Sequence, residues 1–170
     1  EEPVLFFSEY LEGSSYNKAV EIACTAGTAS LGGCQLRLYP NGATSATRTQ
    51  ELEGQLAAGQ TLVICHPSAS ADIQAICAGN TSDVINFNGD DALELVCNGQ
   101  TLDVFGRMGE DPGSYWQDAS GAVKTQNVTL RRKCSVTSGD PDGTDPFDPS
   151  LEWEAYPIDS TDDLGQHICP

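Results

Sequence analysis

Short runs of alternating or β-branched apolar residues, separated by Gly, Pro, Asn and Asp, recur along the whole chain, and the 3.6-residue periodicity of amphipathic helices is nearly absent. The pattern predicts strands over Val4–Tyr10, Ala19–Cys24, Gln35–Tyr39, Thr47–Leu52, Thr61–Cys65, Val84–Phe87, Ala92–Cys97, Thr101–Phe105 and Val128–Arg131. The clearest local signal is the run from Ala92 to Cys97, then Asn98-Gly99, then the run from Gln100 to Phe105. Asn-Gly supplies the two positive-φ residues of a type I′ turn, so this segment is a β-hairpin, with Leu93 and Leu95 on one face and Glu94 on the other. One short helix is predicted over Ala69–Ala78, capped by Ser68 or Ser70 and stopped at Gly79. Beyond Phe105 two loops rich in turn residues, 106–125 and 138–150, interrupt the strand pattern. Trp116 and Trp153 read as core or edge-covering groups. Many short strands with turns between them, in 170 residues without an internal repeat, predict a single all-β sandwich.

Charge and cysteine content change that picture. Lys and Arg number 8 against 25 Asp and Glu, a formal net charge of −17. Such a surface repels a phosphate backbone, which disfavours nucleic-acid binding by this domain alone. The seven cysteines are Cys24, Cys34, Cys65, Cys77, Cys97, Cys134 and Cys169, and no pair has C-x-x-C spacing. His66 and His167 follow no ligand pattern. Spread cysteines without metal spacing are disulfide candidates, here Cys24, Cys34, Cys65, Cys77, Cys97 and Cys134, and disulfides persist in oxidising compartments. Cys65/Cys77 and Cys24/Cys34 each bracket a short local segment and are the simplest pairings, although spacing alone leaves the connectivity open. The odd count leaves Cys169 over, with a partner expected outside this stretch. No apolar run is long enough to span a membrane.

Candidate chemistry is sparse. The loop 138–150 packs Asp140, Asp142, Asp145 and Asp148 into nine positions, with Gly143 allowing the bend, an arrangement of hard oxygen ligands that suits calcium. The same residues also make ordinary Asp-Pro and Asp-Gly turns, and the spacing is not that of an EF-hand. Arg131, Arg132 and Lys133 form the one basic run, able to bind phosphate or carboxylate or to balance neighbouring acids. No nucleophile elbow, phosphate-cradling Gly loop or H-E-x-x-H is present, and no enzymatic activity is expected of the isolated domain. Asn80-Thr81-Ser82 and Asn127-Val128-Thr129 fit the glycosylation sequon.

Several stretches in unbroken order carry a family resemblance: Phe7–Ile22 (FSEYLEGSSYNKAVEI), Val84–Leu95 (VINFNGDDALEL), Asp103–Gly106 (DVFG), Thr129–Lys133 (TLRRK) and Phe147–Trp153 (FDPSLEW). Together, from about Leu5 to Trp153, they resemble the lamin-tail domain in its bacterial form, found at the front of secreted modular nucleases and related exported proteins. The resemblance implies an immunoglobulin-like β-sandwich over residues 1–155, with 156–170 a C-terminal tail or the start of a linker to a downstream domain. It implies a non-catalytic accessory module of a secreted bacterial protein, an extracellular nuclease foremost, whose partner is the catalytic domain of the same polypeptide. Nucleic acid would be reached through that parent protein and without membrane insertion. The cysteines depart from nuclear lamin tails, which weakens any transfer of lamin partners and strengthens the extracellular reading. The rival expectations are a calcium-dependent adhesion or carbohydrate-binding module, and a structural spacer.

Overall fold

The computed structural model describes residues 1–169. Two antiparallel sheets pack as a sandwich, with strands numbered in chain order. The five-stranded sheet has the order β11 (Trp153–Tyr156), β10 (Val128–Arg132), β1 (Val4–Glu12), β2 (Lys18–Ala26) and β7 (Gln60–Cys65). The four-stranded sheet has the order β5 (Arg48–Glu51), β4 (Cys34–Tyr39), β8 (Ala92–Cys97) and β9 (Gln100–Phe105). β3 (Thr28–Ser30) and β6 (Gln55–Ala57) form a small ribbon. Helix α1 (Ala71–Cys77) follows β7, and a single turn, α2 (Pro149–Glu152), leads into β11.

Side chains from both sheets interdigitate in one core, among them Leu5, Phe7, Tyr10, Val20 and Ile22 from one and Leu36, Leu38, Leu93, Leu95 and Phe105 from the other. Tyr10 lies between Phe87 and Phe105, with ring centroids 4.8 and 4.0 Å away, and Trp153 meets Phe105 edge-on at 5.3 Å. Strict alternation would not bury Phe7 and Tyr10 on the same face. The pairing of β1 with β2 shifts register between Phe7 and Glu9, so Ser8 is an extra residue that resets the phase. Beyond this bulge Leu11 points the other way, into a second cluster with Ala19, Val63, Cys65 and the α1 residues Ile73 and Cys77.

Asp103 and Arg132 tie the sheets together, each with no side-chain exposure. The Asp103 carboxylate accepts from the Phe7 and Asp140 amides, each at 2.8 Å, and from both terminal nitrogens of Arg132, at 3.0 and 3.4 Å. Burial pushes the Asp103 carboxyl up from its ordinary value, and Arg132 and the two amides pull against that shift. The guanidinium lies 4.8 Å from the Trp153 ring and 5.6 Å from that of Phe6, and it also pairs with Glu152 at 2.7 Å. A second polar node closes the other end. Lys18 donates to Glu12 at 3.0 Å, to the Phe87 carbonyl at 2.5 Å and to Asn88 Oδ1 at 3.0 Å, while Asp91 accepts from the Asn88 and Asn41 amides.

The hairpin forms as expected, with Asn98 at φ 51° and Gly99 at φ 79°. Glu94, on the side away from Leu93 and Leu95, is itself covered, accepting from Tyr39 and Thr101, each at 2.6 Å. The helix is shorter than predicted. Ser70 caps it without a side-chain bond, and Ala78 takes the left-handed turn at φ 50°. Val84–Phe87 is not a strand. Val84, Ile85 and Phe87 are fully buried in the core, and the Phe87 carbonyl is spent on Lys18 instead of a ladder. β3, β6 and β11 have no apolar run of their own and form because β-pairing partners are brought alongside.

The cysteine framework corrects two expectations. Cys34 faces Cys97 across the β4–β8 ladder and is bonded to it, so the Cys24/Cys34 bridge does not form. Cys24 is instead a buried free thiol donating to the Ala26 carbonyl at 3.2 Å. Cys169 is not left over: the tail folds back and bonds it to Cys134. Cys65–Cys77 forms as expected, joining β7 to α1.

Asp103→Ala removes one of Arg132's two carboxylate partners and the acceptor of the Phe7 and Asp140 amides. It is expected to cost about 3–5 kcal/mol in denaturant unfolding of the oxidised protein, and a loss below about 1 kcal/mol would contradict the central role of this pair.

Candidate functional site

Titratable groups, a cleft and an exposed disulfide meet at the outer face of the five-stranded sheet, beneath residues 157–169. After β11 the chain turns back and lies over this face as a strap. Asp159 accepts from the Ser14 amide at 2.9 Å and its hydroxyl at 2.6 Å. Thr129 donates to the Ser160 carbonyl at 3.0 Å, and Arg131 pairs with Asp162 at 2.6 Å. Leu164 enters the cluster formed by Leu11, Ala19 and α1. The Gly165 amide donates to Glu21 at 2.7 Å, and His167 meets Phe6 edge-on at 5.7 Å. Cys169 closes the strap onto Cys134, just beyond β10.

Two carboxyls lie beneath the strap. Glu9 and Glu21 face each other across β1 and β2, and neither has more than about a hundredth of its surface exposed. Burial raises the Glu9 carboxyl to about 8, with Arg131 pulling it down and Glu21, Asp163 and Asp162 adding to the rise. Glu21 rises to about 7, chiefly through burial, opposed by hydrogen bonds from Ser8 and Gly165. Arg131 Nε lies 3.7 Å from Glu9 Oε1, too far for a hydrogen bond, so the one nearby cation only partly offsets burial. Both carboxyls therefore hold protons well above the ordinary carboxylate range.

Beside the strap a cleft of about 450 Å³ is bounded by Ala23–Ala26, Gly59–Thr61, Val136, Thr137, His167 and the Cys134–Cys169 disulfide. No Asp, Glu, Lys or Arg lines it. Both cysteines of that bridge are solvent-exposed, and His167 Nε2 lies 3.7 Å from Cys169 Sγ.

The residues singled out from the sequence lie elsewhere or are engaged. Arg132 is spent on Asp103 and Glu152, and Lys133 donates to the Ser150 carbonyl at 2.6 Å. Arg131 stacks on Tyr156 at 3.9 Å and pairs with the strap. In the Asp-rich loop, Asp140, Asp142 and Asp148 turn carboxylate oxygens onto the amides of Asp142, Thr144 and Ser150. Asp145 is raised from its ordinary value by desolvation and then by Asp140 and Asp142. Among the described residues no group of three or more His, Cys, Asp or Glu side chains converges as a metal site. The strap site gave one sequence signal: Glu9 and Glu21 interrupt otherwise apolar strand segments. Alternation alone assigns such positions to solvent, and nothing in the pattern shows that the tail returns to cover them.

No helix among the described residues is long and apolar enough to cross a membrane. Comparison of the chain with protein-family models, curated proteins and solved structures gives no match.

Because Glu9 and Glu21 titrate near 8 and 7 when folded and near 4.5 when unfolded, the folded state binds protons that the unfolded state has released. Their contribution to stability is full below pH about 4.5 and is lost as pH rises through about 7 to 8. Melting temperature is expected to fall over that window, and Glu9→Gln with Glu21→Gln is expected to flatten the fall. An unchanged slope in the double variant would show that other groups set it.

Proposed function

We propose that this chain is a non-catalytic accessory module of lamin-tail type in an exported bacterial protein, foremost an extracellular nuclease, where it positions the catalytic domain of the same polypeptide on substrate or surface. The observation that supports this reading is the use made of the residues that carry the resemblance. Lys18, Asn88 and Asp91 close one end of the sandwich, while Asp103, Arg132 and Trp153 lock its two sheets. They serve a scaffold and are not drawn together into a reacting centre. Three disulfides in the same scaffold fit an oxidising compartment. A net charge of −17 repels a phosphate backbone, so in this reading contact with nucleic acid falls to another part of the parent protein.

The test compares the parent polypeptide with and without residues 1–170, so that the strap bonded through Cys134–Cys169 is removed with the sandwich. Removal is expected to leave kcat on short oligonucleotides unchanged and to raise KM on long or surface-bound DNA, and the isolated module is expected to give no gel shift at low salt. Loss of kcat on short substrates, or DNA cleavage by the isolated module, would overturn the proposal.

A second reading is calcium binding by Asp140, Asp142, Asp145 and Asp148; Asp140 and Asp142 lie near enough to Asp145 to add to the rise that desolvation gives it, while Asp148 turns to the Ser150 amide. Calorimetric titration is expected to show binding, with melting temperature lowered by chelator. The absence of both effects rules this reading out.

A further inference from the structure

We propose that Cys134–Cys169 is an exchangeable disulfide: a small thiol entering the adjoining cleft forms a mixed disulfide with Cys134, displaces Cys169 and unlatches the strap. The three bridges differ in access. Cys34, Cys65 and Cys77 are buried in the two core clusters, with Cys97 packed against the first. Cys134 and Cys169 are exposed and form part of the cleft wall. Exchange requires a thiolate to reach a sulfur, so access separates this bridge from the other two. The cleft, about 450 Å³, has room for a tripeptide thiol. In a chain of net charge −17 its lining carries no carboxylate, so an approaching thiolate meets no anion in the wall.

The two sulfurs are not equivalent. His167 Nε2 lies 3.7 Å from Cys169 Sγ, and burial, opposed by Asp163, lowers the imidazole from its ordinary value and so favours the neutral ring. With its proton on Nε2, the ring donates to a thiolate forming on Cys169 and makes that sulfur the better leaving group. The entering thiol gives up its proton to solvent and its sulfur attacks Cys134 Sγ. The S–S bond breaks, its electron pair goes to Cys169 Sγ, and Cys169 takes up a proton. One disulfide replaces another, with no net oxidation. A second molecule of the thiol attacking the mixed disulfide would complete the reduction, leaving two protein thiols and one small-molecule disulfide.

Unlatching has a structural consequence because what then holds the strap is Leu164, the hydrogen bonds at Ser14, Thr129 and Glu21, and the Arg131–Asp162 pair. The Arg131–Asp162 pair is solvent-exposed on its acid side, and such pairs contribute about 0–1 kcal/mol. What the strap covers is the outer sheet face with Glu9, Glu21 and Leu11. Thiol exchange would thus expose a face that the oxidised protein hides.

The experiment treats the oxidised protein with reduced glutathione, quenches with acid and maps the cysteines by mass, with hydrogen exchange on the same samples. The expected result is one glutathione on Cys134 and a free thiol on Cys169, with the other two bridges and Cys24 untouched. Exchange at the Gly165 and Ser14 amides is expected to rise about tenfold or more while the β2–β7 ladder stays protected. His167→Gln is expected to slow adduct formation without changing strap protection in the oxidised protein. First reaction at another bridge, neither adduct nor reduction at Cys134–Cys169, or opening of this bridge with unchanged strap protection would overturn the proposal, and wild-type kinetics in His167→Gln would overturn the leaving-group assignment. A long cysteine-containing peptide is expected to react more slowly than glutathione; faster reaction would replace the small thiol by a partner protein's cysteine.

Discussion

Asp103 and Arg132 are both withdrawn from solvent, and neither could stay there alone. An isolated buried charge is prohibitively costly, so the pair persists because each charge offsets the other, while the Phe7 and Asp140 amides fill the carboxylate and Glu152 adds to the guanidinium. One carboxylate on β9 holds the start of β1, the end of β10 and the loop that runs past β9. The guanidinium in turn lies against Phe6 and Trp153, which brings β11 into register on β10. A sandwich held only by apolar interdigitation could slide. This pair adds a directional link between the two sheets, beside the core aromatics Tyr10, Phe87, Phe105 and Trp153.

The outer face of the five-stranded sheet follows a different logic. There the charges are not matched. Glu9 has one nearby arginine, which the strap's own aspartates also engage, Glu21 is met by hydrogen bonds from Ser8 and Gly165, and burial raises both carboxyls. The strap is thus docked on a polar face by a few directional bonds, one buried leucine and a covalent latch. Core and strap therefore differ in how much must be broken to open them: the core requires global unfolding, the strap one disulfide and a handful of contacts.

This division bears on what kind of protein this is. The residues with the most specific local patterning are those the scaffold consumes, from Lys18 and Asn88 at one end to Arg132 at the other. Arg131–Lys133 read from the sequence equally well as a ligand-binding run and as balance for neighbouring acids, because adjacent basic residues give no information about which acids the fold sets opposite them. The structure sets Asp103, Glu152, Asp162 and backbone carbonyls there. The Asp-rich loop stayed open for the same reason: a carboxylate two residues from a free amide makes a turn as readily as it makes a ligand.

Of the two local cysteine pairings that the sequence left open, only Cys65–Cys77 formed. What the sequence determined by itself is what rests on neighbours along the chain: the β class, the Asn98-Gly99 hairpin, and the burial of Trp116 and Trp153. Local chemistry suffices for these, because turn geometry and short-range apolar pattern are written in consecutive residues. The tertiary structure alone decided the rest. Ser8 became the bulge that re-phases β1, Val84–Phe87 became buried coil, Cys24 was left as the thiol, and Cys169 found Cys134. Each depends on which segments meet across tens of residues, and that is set by packing the two sheets and folding the tail back over them.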